Sequence, residues 1–352
     1  MRKRNLKSLA LACALTGACT LAAAQSSVTI YGIADAAVRY EHNANNRGDH
    51  ALQLVSGGIA GSRLGFRGTE DLGGGMKALF NLEMGISLDD GMPRQGPAFG
   101  RASWVGLEGG WGRVSLGRQY NALNAAWNNY NPLGDQWGIY WSDPVYIGGD
   151  RFFMGYRINN SIIYSNKFGP VAIQLDYALG EQDTNTRDGS TYGGNVVYSD
   201  GPVTIALAAD RNRAPTGAET TTNWTVGGKY GFTGGHYVSG GVMTSKLAVS
   251  GADYRIAFAG GGFRITPALL LSGAVYAYDQ NGSTPQGAGK AKAIAFVADY
   301  AMSKRTSLYA EFDRTIAKDG AARSTAAYWA TAPAGLTTLG RSGFMVGIRH
   351  RF

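Results

Sequence analysis

Apolar and polar residues take turns, one for one, along most of this chain beyond residue 27. Val28, Ile30, Gly32, Ala34, Ala36 and Val38 are apolar or small, while Thr29, Tyr31, Asp35 and Arg39 between them carry polar groups. The pattern returns with Ala78, Phe80, Leu82, Met84 and Ile86 against Lys77, Asn81, Glu83 and Ser87. It recurs with Val171, Ile173, Leu175, Tyr177 and Leu179 against Gln174 and Asp176, and again with Val203, Ile205 and Leu207 against Thr204 and Asp210. Side chains on a strand point to opposite faces in turn, so each segment has one apolar and one polar face. After the first two dozen residues no run of about 20 apolar residues occurs, which excludes helical membrane spans.

Residues 1–24 read as a secretory signal. Arg2, Lys3, Arg4 and Lys7 precede the apolar stretch Leu9 to Leu21, and Ala22-Ala23-Ala24 offers a small-residue cleavage site before Gln25. Cys19 would permit a lipoprotein signal, although Thr16-Gly17-Ala18 before it matches such a site poorly. Both cysteines, Cys13 and Cys19, leave with the signal, so an exported chain has no disulfide framework and no cysteine metal site. Four basic residues leave as well, and 33 Lys+Arg fall to 29 against 25 Asp+Glu, a net +4 rather than +8. That mild charge, without a basic stripe, gives no support to nucleic-acid binding.

A soluble sandwich also alternates, with its apolar face turned into a core. Three features favour a transmembrane barrel. The segments run about 9–12 residues, enough at about 45° of tilt to cross the apolar band of an outer membrane. Aromatics gather near segment ends, at Tyr31, Tyr40, Tyr164, Tyr177, Tyr198, Tyr230, Phe258 and Tyr300. Short connections (70–75, 199–202, 301–305) alternate with long polar ones (41–60, 88–100, 180–191, 211–221, 279–290, 315–340). The 52 glycines, about twice the ordinary share, and 19 Tyr suit a turn-rich β protein. Sixteen segments are predicted, near 27–40, 62–69, 76–87, 99–108, 111–119, 157–167, 171–180, 192–199, 203–211, 222–231, 236–246, 252–264, 268–279, 291–300, 305–315 and 342–352. The last ends on Phe352 and has to pair with the first, because open sheet edges are not tolerated in lipid.

Several motifs resemble one family. Val28-Thr29-Ile30-Tyr31-Gly32, the run from Gly65 to Ala78 (Gly-Phe-Arg-Gly-Thr-Glu-Asp-Leu-Gly-Gly-Gly-Met-Lys-Ala), Ser103 to Arg113, Asn160-Ser161-Ile162, Ser303-Lys304-Arg305-Thr306 and Gly347 to Phe352 are similar, in order, to Gram-negative general diffusion porins of the neisserial and betaproteobacterial type. The resemblance implies an all-β, sixteen-stranded antiparallel transmembrane barrel over residues 25–352, a homotrimer in the outer membrane, and a constriction loop folded into the lumen after strand five, about 119–157. It also implies that the strand ending at Phe352 is the signal read by the outer-membrane barrel assembly machinery. Small residues on the outward face of the first strand, Gly32, Ala34 and Ala36, suit close packing between copies.

Function is then expected in the polar face and one loop. Arg39, Arg63, Arg67, Lys77, Arg101 and Arg113 fall on the polar phase, with Asp35 and Glu83 as counter-charges. A charge facing lipid costs about 2–4 kcal/mol at the midplane, which directs these side chains to the lumen. The stretch 119–157 carries Asp135, Asp143 and Asp150 among many aromatics. Opposed basic and acidic rows produce a field across a narrow lumen, and a basic surplus enriches small anions over cations. Ser115 and Ile163 occupy positions where related porins often carry basic residues, which weakens that bias. Passive diffusion of ions and small hydrophilic solutes, without a cofactor, is the predicted activity. The rival is a barrel enzyme or adhesin acting through its extracellular loops. The four histidines, His42, His50, His236 and His350, show no metal-ligand spacing, and Gly260-Gly261-Gly262 lacks the Lys-Ser/Thr of a phosphate loop.

Overall fold

The computed structural model describes residues 27–45, 47–134, 156–183, 185–329 and 335–352. Among them, eighteen strand pieces form one antiparallel sheet closed on itself. Two barrel strands are each broken in two, so the barrel has sixteen: β1 Ser27–His42, β2 in the pieces Ala51–Ser56 and Arg63–Gly73, β3 Met76–Ile86, and β4 in the pieces Pro93–Arg94 and Ala102–Gly109. There follow β5 Gly112–Tyr120, β6 Arg157–Phe168, β7 Val171–Ala178, β8 Thr191–Asp200, β9 Val203–Arg213 and β10 Thr220–Gly231. The circuit is completed by β11 Tyr237–Leu247, β12 Asp253–Arg264, β13 Leu269–Gln280, β14 Gly289–Ala301, β15 Thr306–Asp319 and β16 Thr338–Arg351. Each strand pairs with the next, and β16 returns to β1 with Val346 opposite Val38. Reciprocal bonds between the backbones of Gly32 and Phe352, at 3.1 and 3.2 Å, finish the closure. Residues 1–24, expected to be a signal, and the aspartates Asp135, Asp143 and Asp150 lie outside the described residues.

Alternation produces a protein turned inside out. On β9, Ile205 and Leu207 are 51% and 52% exposed, whereas Ala206, Ala208 and Asp210 between and beyond them are buried. On β16, Phe344, Val346 and Ile348 face out while Arg341, Met345 and Arg349 face in. Such a surface is stable only against lipid, where backbone groups must bond among themselves and a closed barrel leaves none unpaired. The same phase corrects part of the expected aromatic girdle. Tyr40, Tyr177, Tyr198, Tyr230 and Tyr300 are exposed outward, but Phe258 is buried inward because its neighbours Ala257 and Ala259 hold the outer positions. Tyr31 also turns in, donating to Glu83 Oε2 at 2.9 Å.

One end of the barrel is closed by short turns. Gly169-Pro170 joins β6 to β7 and Gly201-Pro202 joins β8 to β9, with φ of +58° and +52° at the glycines. Gly first and Pro second is the order of a type II′ hairpin, in which only the first central residue needs positive φ. Short turns mark the periplasmic end and long connections the extracellular end. Three of the long connections contain structure that periodicity did not show, among them 88–100 with the first piece of β4, Pro93–Arg94. The connection 41–60 holds the first piece of β2, and 315–340 holds the end of β15 and helix α2, Gly320–Trp329.

The break in β2 has its cause on β1 and β15. The Asp35 carboxylate on β1 accepts from the amides of Gly58, Ile59 and Ala60 at 3.0, 3.3 and 2.8 Å, and from the Tyr309 hydroxyl at 2.6 Å. Residues 57–62 are thereby drawn off the wall into the barrel, with Ile59 fully buried. A Cβ on Gly58 would sit 2.2 Å from the Tyr309 hydroxyl, so no larger residue fits there.

Candidate functional site: the barrel lumen

The lumen has two unlike sides. On one side, helix α1 (Ala122–Tyr130) leaves β5 and packs against the inward faces of β8 to β11. Asn121 caps it, accepting from the Asn124 amide at 2.9 Å, and the Ala122 amide donates to Asp176 at 2.9 Å. The Ala122 carbonyl accepts from the Asn195 amide group at 3.0 Å. At its far end the Tyr130 hydroxyl bonds to Thr225, the Ser239 hydroxyl donates to the Tyr130 carbonyl, and Tyr237 donates to the Pro132 carbonyl at 3.1 Å. Trp127 meets Phe258 edge to face at 4.7 Å between centroids, and Tyr130 stacks on the same ring at 5.9 Å. The wall beneath is small: Ala206 and Ala208 are buried there, and a Cβ on Gly227 would lie 2.4 Å from the Tyr130 ring. Nearer the extracellular mouth, α2 packs on β14 and β15, with Ala321, Ala322 and Ala326 fully buried. Arg323 holds it by donating to the carbonyls of Gln286 and Leu336.

The opposite side, β2 to β6, carries arginine, and among the described residues no helix packs on it. Arg101 Nε donates to Glu83 Oε1 at 2.6 Å, and Arg63 approaches the same carboxylate at 4.0 Å. Arg157 lies 4.3 Å over the Tyr120 ring and donates to the Tyr120 hydroxyl, which also accepts from Arg101 at 3.2 Å. Two guanidinium groups thus share one carboxylate, and Arg157 joins them through the Tyr120 hydroxyl and the Arg101 carbonyl, to which it donates at 2.7 Å. Delocalised guanidinium tolerates this crowding by stacking on aromatic faces as well as by hydrogen bonding.

Of the six predicted wall cations, Arg63 and Arg101 belong to this cluster. Arg67 is exposed and sits 5.1 Å over Tyr31, nearer the periplasmic mouth. Lys77 and Arg113 lie at the periplasmic rim, where register places Asp71, Lys77, Glu108 and Arg113 side by side on four strands. Opposite charges facing across strands in that way stabilise the sheet edge. Arg39 is buried and committed to Glu311 at 3.2 Å and Asp313 at 2.8 Å on β15. Ser115 and Ile163 face each other in register on β5 and β6, buried and uncharged.

Sequence reasoning missed Arg157, Glu311 and Asp313 as lumen residues. Glu311 and Asp313 share the alternation of β15 with Tyr309 and Thr315, so their phase was available as a signal. Arg157 was hidden by an irregularity: β5 and β6 slip register between Gly117 and Gln119, and Asn160 has φ of +52°. Helix α1 did leave a trace in Asn121 followed by Ala-Leu-Asn-Ala-Ala, a cap residue before good helix formers.

Comparison with known proteins agrees with this geometry. A family model described as Gram-negative porin matches residues 9–320. Outer membrane porin protein 32 of Delftia acidovorans is 33% identical over 99% of this chain and 100% of its own. The major outer membrane protein P.IB of Neisseria meningitidis is 30% identical over 53% of this chain and 54% of its own. Among solved structures, an anion-selective porin from Comamonas acidovorans superposes with a TM-score of 0.78 at 31% identity, covering 93% of this chain and all of that one. These relatives are channels rather than enzymes. A closed barrel with an apolar exterior and a polar interior is a passive path across the outer membrane for ions and small hydrophilic solutes, and the chain belongs to the Gram-negative porin family.

Proposed function

We propose that this channel prefers small anions, and that the preference comes from the wall of β2 to β6. The observation that carries the proposal is the gathering of Arg63 and Arg101 on the Glu83 carboxylate, with Arg157 bound to Arg101 and Tyr120 beside them. A surplus of fixed positive charge in a narrow wet passage raises the local anion concentration and repels cations. The preference is mild, because Arg39, Lys77 and Arg113 each stand beside carboxylates. The likeness to an anion-selective porin supports the reading. In the same reading α1 begins the constricting loop, and Asp135, Asp143 and Asp150 further along it supply the acidic side of the field. The chain performs no catalysis.

Reversal potential across a planar bilayer under a salt gradient tests the preference. The expected sign is that of an anion channel, and Arg63→Gln with Arg157→Gln should move it toward zero. A cation sign for the unaltered protein would overturn the assignment.

The homotrimer belongs to the same proposal. Ala34 and Ala36 keep the outward face of β1 low, and a structural neighbour, OmpT of Vibrio cholerae, has been solved in a trimer form. Gly32 serves a different end: a Cβ there would lie 2.4 Å from the Phe352 ring, so its missing side chain seats the last residue of the chain. Mobility of unheated protein on a denaturing gel distinguishes trimer from monomer. Phe352, half exposed on the outside of the closing strand, is in a position to be read by assembly machinery before closure.

A further inference from the structure

Two histidines meet at the extracellular end of β1. Eight positions apart, His42 and His50 match no ligand spacing in the sequence. Strand pairing brings them together: Tyr40 stands opposite Leu52 and Glu41 opposite Ala51, so the next step of that ladder sets His42 against His50. Their Nδ1 atoms are 3.1 Å apart and their ring centroids 4.8 Å apart. Both side chains are exposed. His42 has the parity of Val38 and Tyr40, which face outward, and His50 stacks on Tyr40 at 5.9 Å. The pair therefore stands on the outer wall and takes no part in the arginine cluster of the lumen.

The turn between them is held by its own side chains. Asn45 Oδ1 accepts from the amides of Arg47 and Asp49 at 2.9 and 3.2 Å, and Asn45 Nδ2 donates to the Asp49 carboxylate at 2.7 Å. Arg47 Nε donates to the same carboxylate at 3.0 Å. The Ala44 amide donates to the Asp49 carbonyl at 2.7 Å, and Asn43 Nδ2 ties the turn to the Gly340 carbonyl of β16 at 2.7 Å. Backbone and turn thus set the spacing of the two imidazoles in advance. An imidazole nitrogen lies about 2.0–2.1 Å from a bound Zn²⁺, so two of them on one ion are about 2.9 Å apart at a right angle and about 3.4 Å apart at the tetrahedral angle. The observed 3.1 Å falls between these limits. The rings are tilted by only 25°, so both nitrogens face one ion after a turn about χ2, which exposed side chains make readily.

We propose that His42 and His50 together bind one divalent transition-metal ion at the outer rim of the barrel, stapling the end of β1 to the start of β2. Neutral imidazole suits Cu²⁺, Ni²⁺ and Zn²⁺, whereas Ca²⁺ and Mg²⁺ take oxygen ligands. Among the described residues no group of three or more His, Cys, Asp or Glu forms a metal cage, so water completes the coordination and the ion exchanges with solvent. The pair lies six residues beyond Ala36, about 20 Å along the strand. Copies packed through Ala34 and Ala36 need not cover it.

Calorimetric titration of the untagged, folded protein in detergent with Cu²⁺, Ni²⁺, Zn²⁺ and Mg²⁺ tests the site, together with electron paramagnetic resonance of the Cu²⁺ form. One ion should bind per chain, Cu²⁺ most tightly and Mg²⁺ not at all, with two nitrogens in the Cu²⁺ spectrum. His42→Gln and His50→Gln should each weaken Cu²⁺ binding at least about a hundredfold, because the second of two tethered ligands is lost. His350→Gln should leave it unchanged. Heat-dependent gel mobility and single-channel conductance certify folding, and either of the first two variants decides if the other fails to assemble. Full Cu²⁺ affinity in a folded His42→Gln or His50→Gln, binding of two ions per chain, or a single-nitrogen spectrum would each overturn the proposal.

Discussion

The two sides of the lumen follow different rules although one alternating pattern built both. The side of β8 to β12 is covered as a soluble core would be: Trp127 and Tyr130 of α1 fit against Phe258 over a floor of alanine and glycine. The side of β2 to β6 keeps Arg63, Arg101 and Arg157 on a wall that no described helix covers, with Glu83 as counter-charge to the first two. A sixteen-stranded barrel is too wide for wall side chains alone to fill. In the proposed reading the helix-covered side sets how much of the cross-section is left, and the arginine side sets the charge of what is left. Among the described residues none of α1 is a partner of the arginine cluster, so in this reading shape and charge are separately adjustable.

The largest effect tests where that division ends. Arg39 has the phase of a lumen cation, but it is locked between Glu311 and Asp313, with 1% of its side chain exposed and none of theirs. Arg39→Ala leaves two buried carboxylates without their cation, a change that costs about 3–5 kcal/mol. Urea unfolding of the refolded barrel in micelles should show that loss, together with little movement of the reversal potential. A large potential shift with unchanged stability would move Arg39 into the conducting wall and break the comparison.

Next come two variants that ought to dissociate. Tyr130→Ala removes a fully buried ring that anchors the end of α1, at a cost of about 3 kcal/mol. It should raise single-channel conductance while leaving the reversal potential in place. Arg63→Gln with Arg157→Gln should do the converse. If both variants moved both quantities alike, the two sides would not be separable.

How much of this was legible in the sequence depended on range. Alternation is local, and it placed Arg39, Glu83 and Asp176 on the inward face and Leu175, Leu207 and Val346 on the outward one. Partners across the barrel are not local: Arg39 finds Glu311 at a separation of 272 residues, and no periodicity encodes which inward carboxylate an inward arginine meets. The inward excursion 57–62 depends on Asp35 and Tyr309, on two other strands, so its first flank, Ala51–Ser56, read as loop. Helices α1 and α2 are short and sit among polar, aromatic and glycine residues, where a period of two stops without another period clearly replacing it. Arg157 shows the same limit in one residue, because a register slip cancels the parity that would have placed it.

The smallest effect concerns the loops above the helix-covered side. Glu219 accepts from the amides of Val249 and Ser250, both at 2.9 Å, and of Thr220 at 2.8 Å, which ties the β9–β10 connection to the β11–β12 connection. These donors, the Val249 amide foremost, favour the charged carboxylate and hold its pKa at about 2. A lowered pKa means that the tie is fully present above the ordinary carboxylate value of about 4.3 and is lost as pH falls toward 2. The Val249 and Ser250 amide resonances should therefore titrate with a midpoint near 2, and Glu219→Gln should abolish the titration. Conductance should stay constant between pH 7 and pH 4, because the tie stays formed over that range. A midpoint near 4.3 would mean that the tie does not form in solution, leaving α1 alone to hold that side of the channel.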